Sequence, residues 1–445
     1  MPCFWMSRAD RESARPFLDS LAHRADPPAA GGESPEEQVR AILDAVRRDG
    51  LEAVAAYTRR FDAPEFRSEQ FALSPSDLAR AAGALPRRDR KAILAAAANI
   101  RAFHQNQRER SWFTARGDGT ILGQAVLPVE RAGLYVPGGR GASAPLLSSL
   151  LMNAIPAQEA GVGQIALVSP PGPDGRPGAL VLAAAHLLGL TEVYAAGGAW
   201  SVAALAYGAG PLRPVDVIAG PGNILVTTAK RLLVGLVGID MLAGPSEICI
   251  LADDGANPAW VAADMLAQAE HDVLASAVCL CLSEEQGRAV RRELLRQCAL
   301  LPRRETARES LRRFGAILVA GELETALDLA NALAPEHLEL MTARPWDLLP
   351  GVRHAGAVFL GYHAAEALGD YCAGPNHVLP TMGTARFSSA LSVSVFCKKT
   401  SIIAASPAFA EECAATAARL ARLEGLEGHA RSALCRKKAG PRNKA

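Results

Sequence analysis

An alternation that begins near residue 121 constrains this chain more than any other feature. Short β-rich apolar runs at Gly133–Val136, Gln164–Val168, Val193–Ala196 and Val215–Ala219 take turns with Ala- and Leu-rich segments of helical length. A second ladder follows at Glu247–Leu251, Ala277–Leu282, Ala316–Val319 and Ala357–Leu360, with helical patterns near 258–271, 284–298 and 321–333 between its runs. Strands apolar along their whole length must be covered on both faces, and parallel strands need crossovers, which helices supply. The expectation is an α/β chain with two αβα layers. Glycine and proline hinges are expected at Gly138-Gly139 and Ala243-Gly-Pro.

The first hundred residues read as mainly helical. Ser34-Pro-Glu-Glu37 is a capping box with proline at the first helical position, and Val39, Ile42, Leu43 and Val46 follow at helical spacing up to Gly50. Ser74-Pro75-Ser76-Asp77 opens another helix, and a long pattern covers about 88–110. Ahead of these, Asp26-Pro-Pro-Ala-Ala-Gly-Gly reads as a linker. A last helical segment, about 407–423, carries a separate C-terminal piece.

Composition narrows the functional classes. Lys plus Arg number 47 against 46 Asp plus Glu, so the net charge of +1 gives no footprint for nucleic acid or an acidic membrane. The basic end from Arg436 to Lys444 reads as a solvated terminus. The nine cysteines include no Cys-x-x-Cys pair, and an odd, scattered set points to reduced thiols and a cytoplasmic location. The apolar start, Met1 to Met6, is too short for a signal peptide, and Ala179–Leu188 is too short to span a membrane.

Chemistry concentrates in a few strings. Gln268-Ala-Glu-His271 ends a helical pattern, with two donors three residues apart on one face; a helix-end histidine serves structure as readily as function. Pro335-Glu336-His337-Leu338 sets a carboxylate beside an imidazole, two proton acceptors of different basicity, although a surface turn also explains it. Gly369-Asp370-Tyr371 to Pro380 crowds Asp370, Asn376 and His377 onto a Gly/Pro scaffold, which suits a site. Glu424 and His429 follow the last helix, where Gly425 and Gly428 also read as a simple stop. Gly139-Arg-Gly141-Ala-Ser-Ala144 fits a nucleotide-binding turn, a weak signal alone. Asn223, after Gly220-Pro-Gly222, is an N-cap whose free N–H groups attract phosphate. Gln268, His271, Asp370 and His429 together would supply the mixed nitrogen and oxygen donors zinc tolerates.

In order and spacing these strings resemble the histidinol dehydrogenase family over about 30–435. They include Gly133-Leu-Tyr135-Val-Pro-Gly-Gly139, Gly220-Pro-Gly-Asn223, Ile239-Asp-Met-Leu-Ala-Gly-Pro-Ser246-Glu247, Gln268-Ala-Glu-His271, Pro335-Glu336-His337-Leu338, Gly369-Asp370-Tyr371, Asn376-His377-Val-Leu-Pro380-Thr381 and Glu424…His429. The resemblance implies four-electron oxidation of L-histidinol through L-histidinal to L-histidine, with two NAD reduced and one zinc per subunit. It implies zinc on Gln268, His271, Asp370 and His429, and proton transfer by Glu336 and His337. Substrate contacts would come from these ligands with Ser246, His337, His377 and Glu424, and NAD contacts from Tyr135 and Asn223. Where Trp200 stands the family carries a glutamine that contacts NAD. Tryptophan can stack on a cofactor or fill space but lacks the amide acceptor. The loop 139–147 is also slightly long.

The implied fold is two Rossmann-like αβα layers with incomplete nucleotide-binding topology, small N- and C-terminal helical extensions, and an intertwined homodimer. The implied division is 1–26 as N-terminal extension, 27–132 with 245–391 as the domain of metal and catalytic residues, 133–244 as the NAD side, and 392–445 reaching the partner subunit. Rival readings are an oxidoreductase for a related alcohol, a zinc hydrolase with Glu336 as base, and a hinged ligand-binding protein.

Overall fold

The computed structural model describes residues 3–25, 34–138 and 146–437. The linker expected at 26–32, the string Gly139–Ala144 and the basic end beyond 437 lie outside them. The chain forms two compact units, 1–107 with 129–396 and 108–128 with 397–445.

The strands are β1 (Phe4–Met6), β2 (Trp112–Ala115), β3 (Ile121–Pro128), β4 (Arg131–Tyr135), β5 (Gln164–Ser169), β6 (Glu192–Ala195) and β7 (Val217–Ala219). After them come β8 (Gly238–Ile239), β9 (Glu247–Ala252), β10 (Ser276–Cys281), β11 (Gly315–Val319), β12 (His337–Met341), β13 (Ala357–Leu360) and β14 (Cys397–Ala404). The first unit holds two wholly parallel sheets, one ordered β6-β5-β4-β7-β8 and one ordered β1-β11-β10-β9-β12-β13. In each, the chain builds outward to one side of a central strand, β4 or β9, and then crosses to the other. Such a reversal opens a crevice where ligands bind.

Alternation explains how the larger sheet is covered. Ile248, Ile250, Cys279 and Ile317 face one core with Val261 and Met265 of the helix between β9 and β10 and with Leu294 and Leu311 of the two helices between β10 and β11. Cys249, Leu251, Val278 and Leu318 face the other, with Phe17, Leu21 and Leu329. The second unit is antiparallel. β14 pairs β3 over eight positions, from Cys397↔Pro128 to Ala404↔Ile121, and β2 lies on the other side of β3. The helices Pro407–Leu423 and Glu427–Leu434 meet through Ala418, Ala421 and Ala430.

Three expectations need correction. The N-terminal extension is not merely helical, because β1 adds an edge strand to the larger sheet in register Phe4↔Ala316. The C-terminal extension likewise contains β14. The helices between Pro35 and Gln105 do not belong with the larger sheet: Val39, Ile42, Val54, Leu78 and Ile100 share one core with Leu134, Val168 and Ile218 of the smaller one. An amphipathic stripe shows that a helix must be covered, not which sheet covers it.

Candidate active site

The site grows from an antiparallel relation between strands and helices. β9 and β12 enter the larger sheet at neighbouring positions, with Glu247 and His337 as their first residues, and His337 pairs with Ile248. The helix Pro258–Ala269, started by the Asn257 side chain, runs back against the strands. It therefore ends at the edge where they begin, delivering Gln268 and then His271. Asp370 comes to the same edge on a wide helical turn, Gly369–Ala373. Here Gln268, His271, Glu336, His337, Glu366, Asp370 and His377 line one cavity with Ser246 and Gly244.

The distances divide the cavity's polar groups into two clusters. His337 is buried; its Nδ1 lies 2.9 Å from the Glu247 main-chain oxygen and donates to it, while Nε2 has no hydrogen-bond partner and stands 3.7 Å from Asp370 Oδ1. Glu336 Oε2 accepts the main-chain N–H of Glu247 at 2.8 Å and lies 3.7 Å from His337 Nδ1. That is an acid–imidazole couple with one free ring nitrogen. Beside it, one ligating atom from each of His271, Glu366 and Asp370 falls within 4.8 Å of the others. The Gln268 amide serves its neighbours when its nitrogen donates to Glu366 Oε1 (2.9 Å), which frees its oxygen as a further donor atom for a cation.

Charge is held there at a cost that sets each group's basicity. Burial pushes Glu336 up to about 7 and Glu366 up to about 8. Burial opposes protonation of His337, but Glu366, Glu336 and Asp370 outweigh it and raise its pKa well above the usual value. Asp370 feels the converse: burial raises it, while His337, His377 and His271 hold it below the normal carboxylate range. His271 is exposed as a residue, yet its ring lines the cavity, and desolvation there lowers its pKa toward the neutral, ligating form. A pocket with this excess of carboxylates, an unpartnered Glu366 Oε2 and neutral imidazole fits a divalent cation such as zinc.

A profile of the histidinol dehydrogenase family matches residues 28–437. The chain belongs to the histidinol dehydrogenase family. It is 58% identical over 437 residues to the histidinol dehydrogenase of Nitratidesulfovibrio vulgaris, covering 98% of this chain and 99% of that one. It is 49% identical to that of Bacillus subtilis over 403 residues, 91% and 93% of the two chains. The crystal structure of histidinol dehydrogenase from Elizabethkingia anophelis superposes with a TM-score of 0.89 at 31% identity, covering 98% of each chain.

Of the residues the family resemblance singled out, the fold brings Ser246, Gln268, His271, Glu336, His337, Asp370 and His377 to one cavity. Glu424 and His429 sit in the second unit, both exposed, Glu424 closing the long helix and His429 within the final one. Tyr135 and Asn223 lie at the carboxyl ends of β4 and β7, the two strands that flank the reversal of the smaller sheet. Asn223 caps the helix Ile224–Leu233 by accepting from Leu225 N and Val226 N, both at 3.1 Å. Tyr135 is buried, and burial followed by the nearby Asp62 raises its pKa. Trp200 is only 4% exposed. Its indole stacks on Phe61 (5.4 Å) and Tyr57 (5.9 Å) and donates to Thr58 Oγ1 at 3.1 Å, so it fills space between helices.

Sequence reasoning overlooked Glu366. It precedes Asp370 by four residues, the spacing that sets two side chains on one helical face. Gly369 between them, read as a turn, hid that relation.

Proposed function

We propose that this chain oxidises L-histidinol through L-histidinal to L-histidine, reducing two NAD, as the closing steps of histidine biosynthesis in the cytoplasm. The observation that carries the reading is the buried Glu336–His337 couple, its Nε2 unpartnered, beside the donors of His271, Asp370 and Gln268. No described helix is long and apolar enough to cross a membrane.

Gln268, His271 and Asp370, with His429 of the partner subunit in an intertwined homodimer, would hold the zinc. Bound there, zinc supplies a positive template that orients the imidazole and amino nitrogens of histidinol and eases loss of the alcohol proton. Ser246, His377 and the partner's Glu424 complete the substrate contacts. His337 takes the alcohol proton on Nε2, its ring held by the bond from Nδ1 to the Glu247 oxygen. Glu336 then takes a proton from the water that adds to the aldehyde, a task suited to a carboxyl group whose pKa lies near neutrality. NAD, when bound, would supply the hydride acceptor for each of the two oxidations. The balance is one proton released in the first oxidation and two in the second, which also consumes water.

The NAD side is the carboxyl edge of the smaller sheet. Gly220, at φ +128°, passes so near Tyr135 that a Cβ would collide with the tyrosine main-chain oxygen. Helices begin along this edge at Leu147, Gly198 and Ile224, and their free N–H groups suit a pyrophosphate. The deciding measurement is NADH formed per histidinol consumed, with and without a chelator. Two per substrate, lost on chelation and restored by zinc, is expected. Metal-dependent cleavage without NADH would make the chain a hydrolase, and turnover of other alcohols but not histidinol would reassign its substrate. His429→Ala is expected to lose zinc while keeping the fold; full zinc occupancy removes it from the ligand set.

A further inference from the structure

One residue of β9 orients both members of the proton-transfer pair. The Glu247 main-chain N–H donates to Glu336 Oε2 (2.8 Å), and its main-chain oxygen accepts from His337 Nδ1 (2.9 Å). A shift of this single residue would therefore disturb both groups at once. What holds it is its own side chain. The Glu247 carboxylate accepts from Glu336 N (3.3 Å), Met382 N (3.1 Å) and Arg24 Nη2 (2.7 Å).

Arg24 comes from the N-terminal segment, 223 residues away in sequence. Its side chain is 1% exposed and that of Glu247 is 11%. The guanidinium is committed on every side: Nε donates to Leu274 O (2.9 Å), Nη1 to Leu21 O (2.8 Å) and Nη2 to Pro245 O (2.9 Å) as well as to Glu247. Pro245 stands between Gly244 and Ser246, both of which line the cavity. Only a planar fork reaches these acceptors together, which an ammonium cannot reproduce. Removing it would leave a buried carboxylate without its counter-charge, a state the structure would relax by moving β9.

We propose that Arg24 is a positioning residue for catalysis, acting through Glu247 to aim the Glu336 carboxylate and the His337 ring. The N-terminal segment is then a working part of the active site. This rests on the reading of Glu336 and His337 as the proton-transfer pair.

The test compares Arg24→Ala, Arg24→Lys and Glu247→Gln with Glu336→Gln and His337→Asn, all in the full chain. It follows kcat and KM for histidinol and NAD, zinc content, thermal midpoint, and rescue of Arg24→Ala by added guanidinium. Arg24→Ala should lower kcat by about ten- to a hundredfold, as misplacement of reacting groups does. Zinc content should stay at the parent level, KM for NAD within about twofold, and guanidinium should restore part of kcat. Arg24→Lys and Glu247→Gln keep the buried contacts partly filled and should show the same kcat-specific loss if Arg24→Ala fails to fold. Folded Arg24 or Glu247 variants with parent-like kcat, or losses explained wholly by missing zinc, overturn the proposal. Parent-like rates in Glu336→Gln and His337→Asn would instead overturn the assignment of the pair, and this inference with it.

Discussion

In both parallel sheets the chain builds to one side of a central strand and then crosses to the other, yet the function proposed above uses opposite edges of the two sheets. The smaller sheet offers its carboxyl edge, where Tyr135, Gly220 and Asn223 gather. The larger offers its amino edge, where Glu247 and His337 open their strands and Gln268 closes a helix. Helices start at the first edge and end at the second. Helix starts carry partial positive charge and free N–H groups, helix ends partial negative charge. One strand order can thus serve a phosphate-bearing cofactor and a cation, according to which edge faces the ligand.

The comparison breaks most sharply at His337. His337→Asn should lower NADH formation from histidinol by roughly 10²–10⁴-fold, the usual contribution of a positioned base. An unchanged rate would show that the amino edge is not where protons move.

On the other edge, Gly220→Ala probes the close approach to Tyr135. Both the positive φ and the Tyr135 main-chain oxygen, which occupies the space a Cβ would need, oppose a side chain. KM for NAD should rise by about tenfold, while zinc content stays at the parent level. An equal loss of zinc would show that the two edges do not act separately.

Trp200 sharpens the division between cofactor contact and packing. Trp200→Ala should cost about 3–5 kcal/mol of stability, as for other buried aromatics. KM for NAD in the folded protein should change less than in Gly220→Ala. A large rise in KM without loss of stability would return Trp200 to the cofactor site.

The smallest effect concerns pH. Glu336 is raised to about 7 from the ordinary 4.5 by burial. Its neutral form therefore contributes stability that is full below about 4.5 and lost as pH rises through about 7. Glu336→Gln cannot ionise, so in zinc-free protein its thermal midpoint should match the parent at low pH and exceed it by about 1–3 °C at pH 8. A constant gap across this range would show that the carboxyl group does not titrate there.

Much of the architecture was legible along the chain. The capping boxes at Ser34 and Ser74 start helices as read, the 284–298 pattern is a helix over those residues, and Ala357–Leu360 is a strand. Periodicity, caps and turn residues act over a few positions, and a sequence displays them directly. The strings around Gln268, Glu336, Asp370 and Ser246 were likewise visible as candidates before any geometry.

Long-range pairing was not visible. β14 joins β3 across some 270 residues, β1 joins β11 across more than 300, and Arg24 reaches Glu247. Nor does composition say that Trp200 points into an aromatic cluster, or that Glu366 meets Asp370 and His271 at one point of the cavity. Local free energies set which segments become helix or strand. Which buried donor meets which acceptor is decided only when the cores close, because desolvation makes each unpaired polar group costly and leaves few arrangements that pair them all.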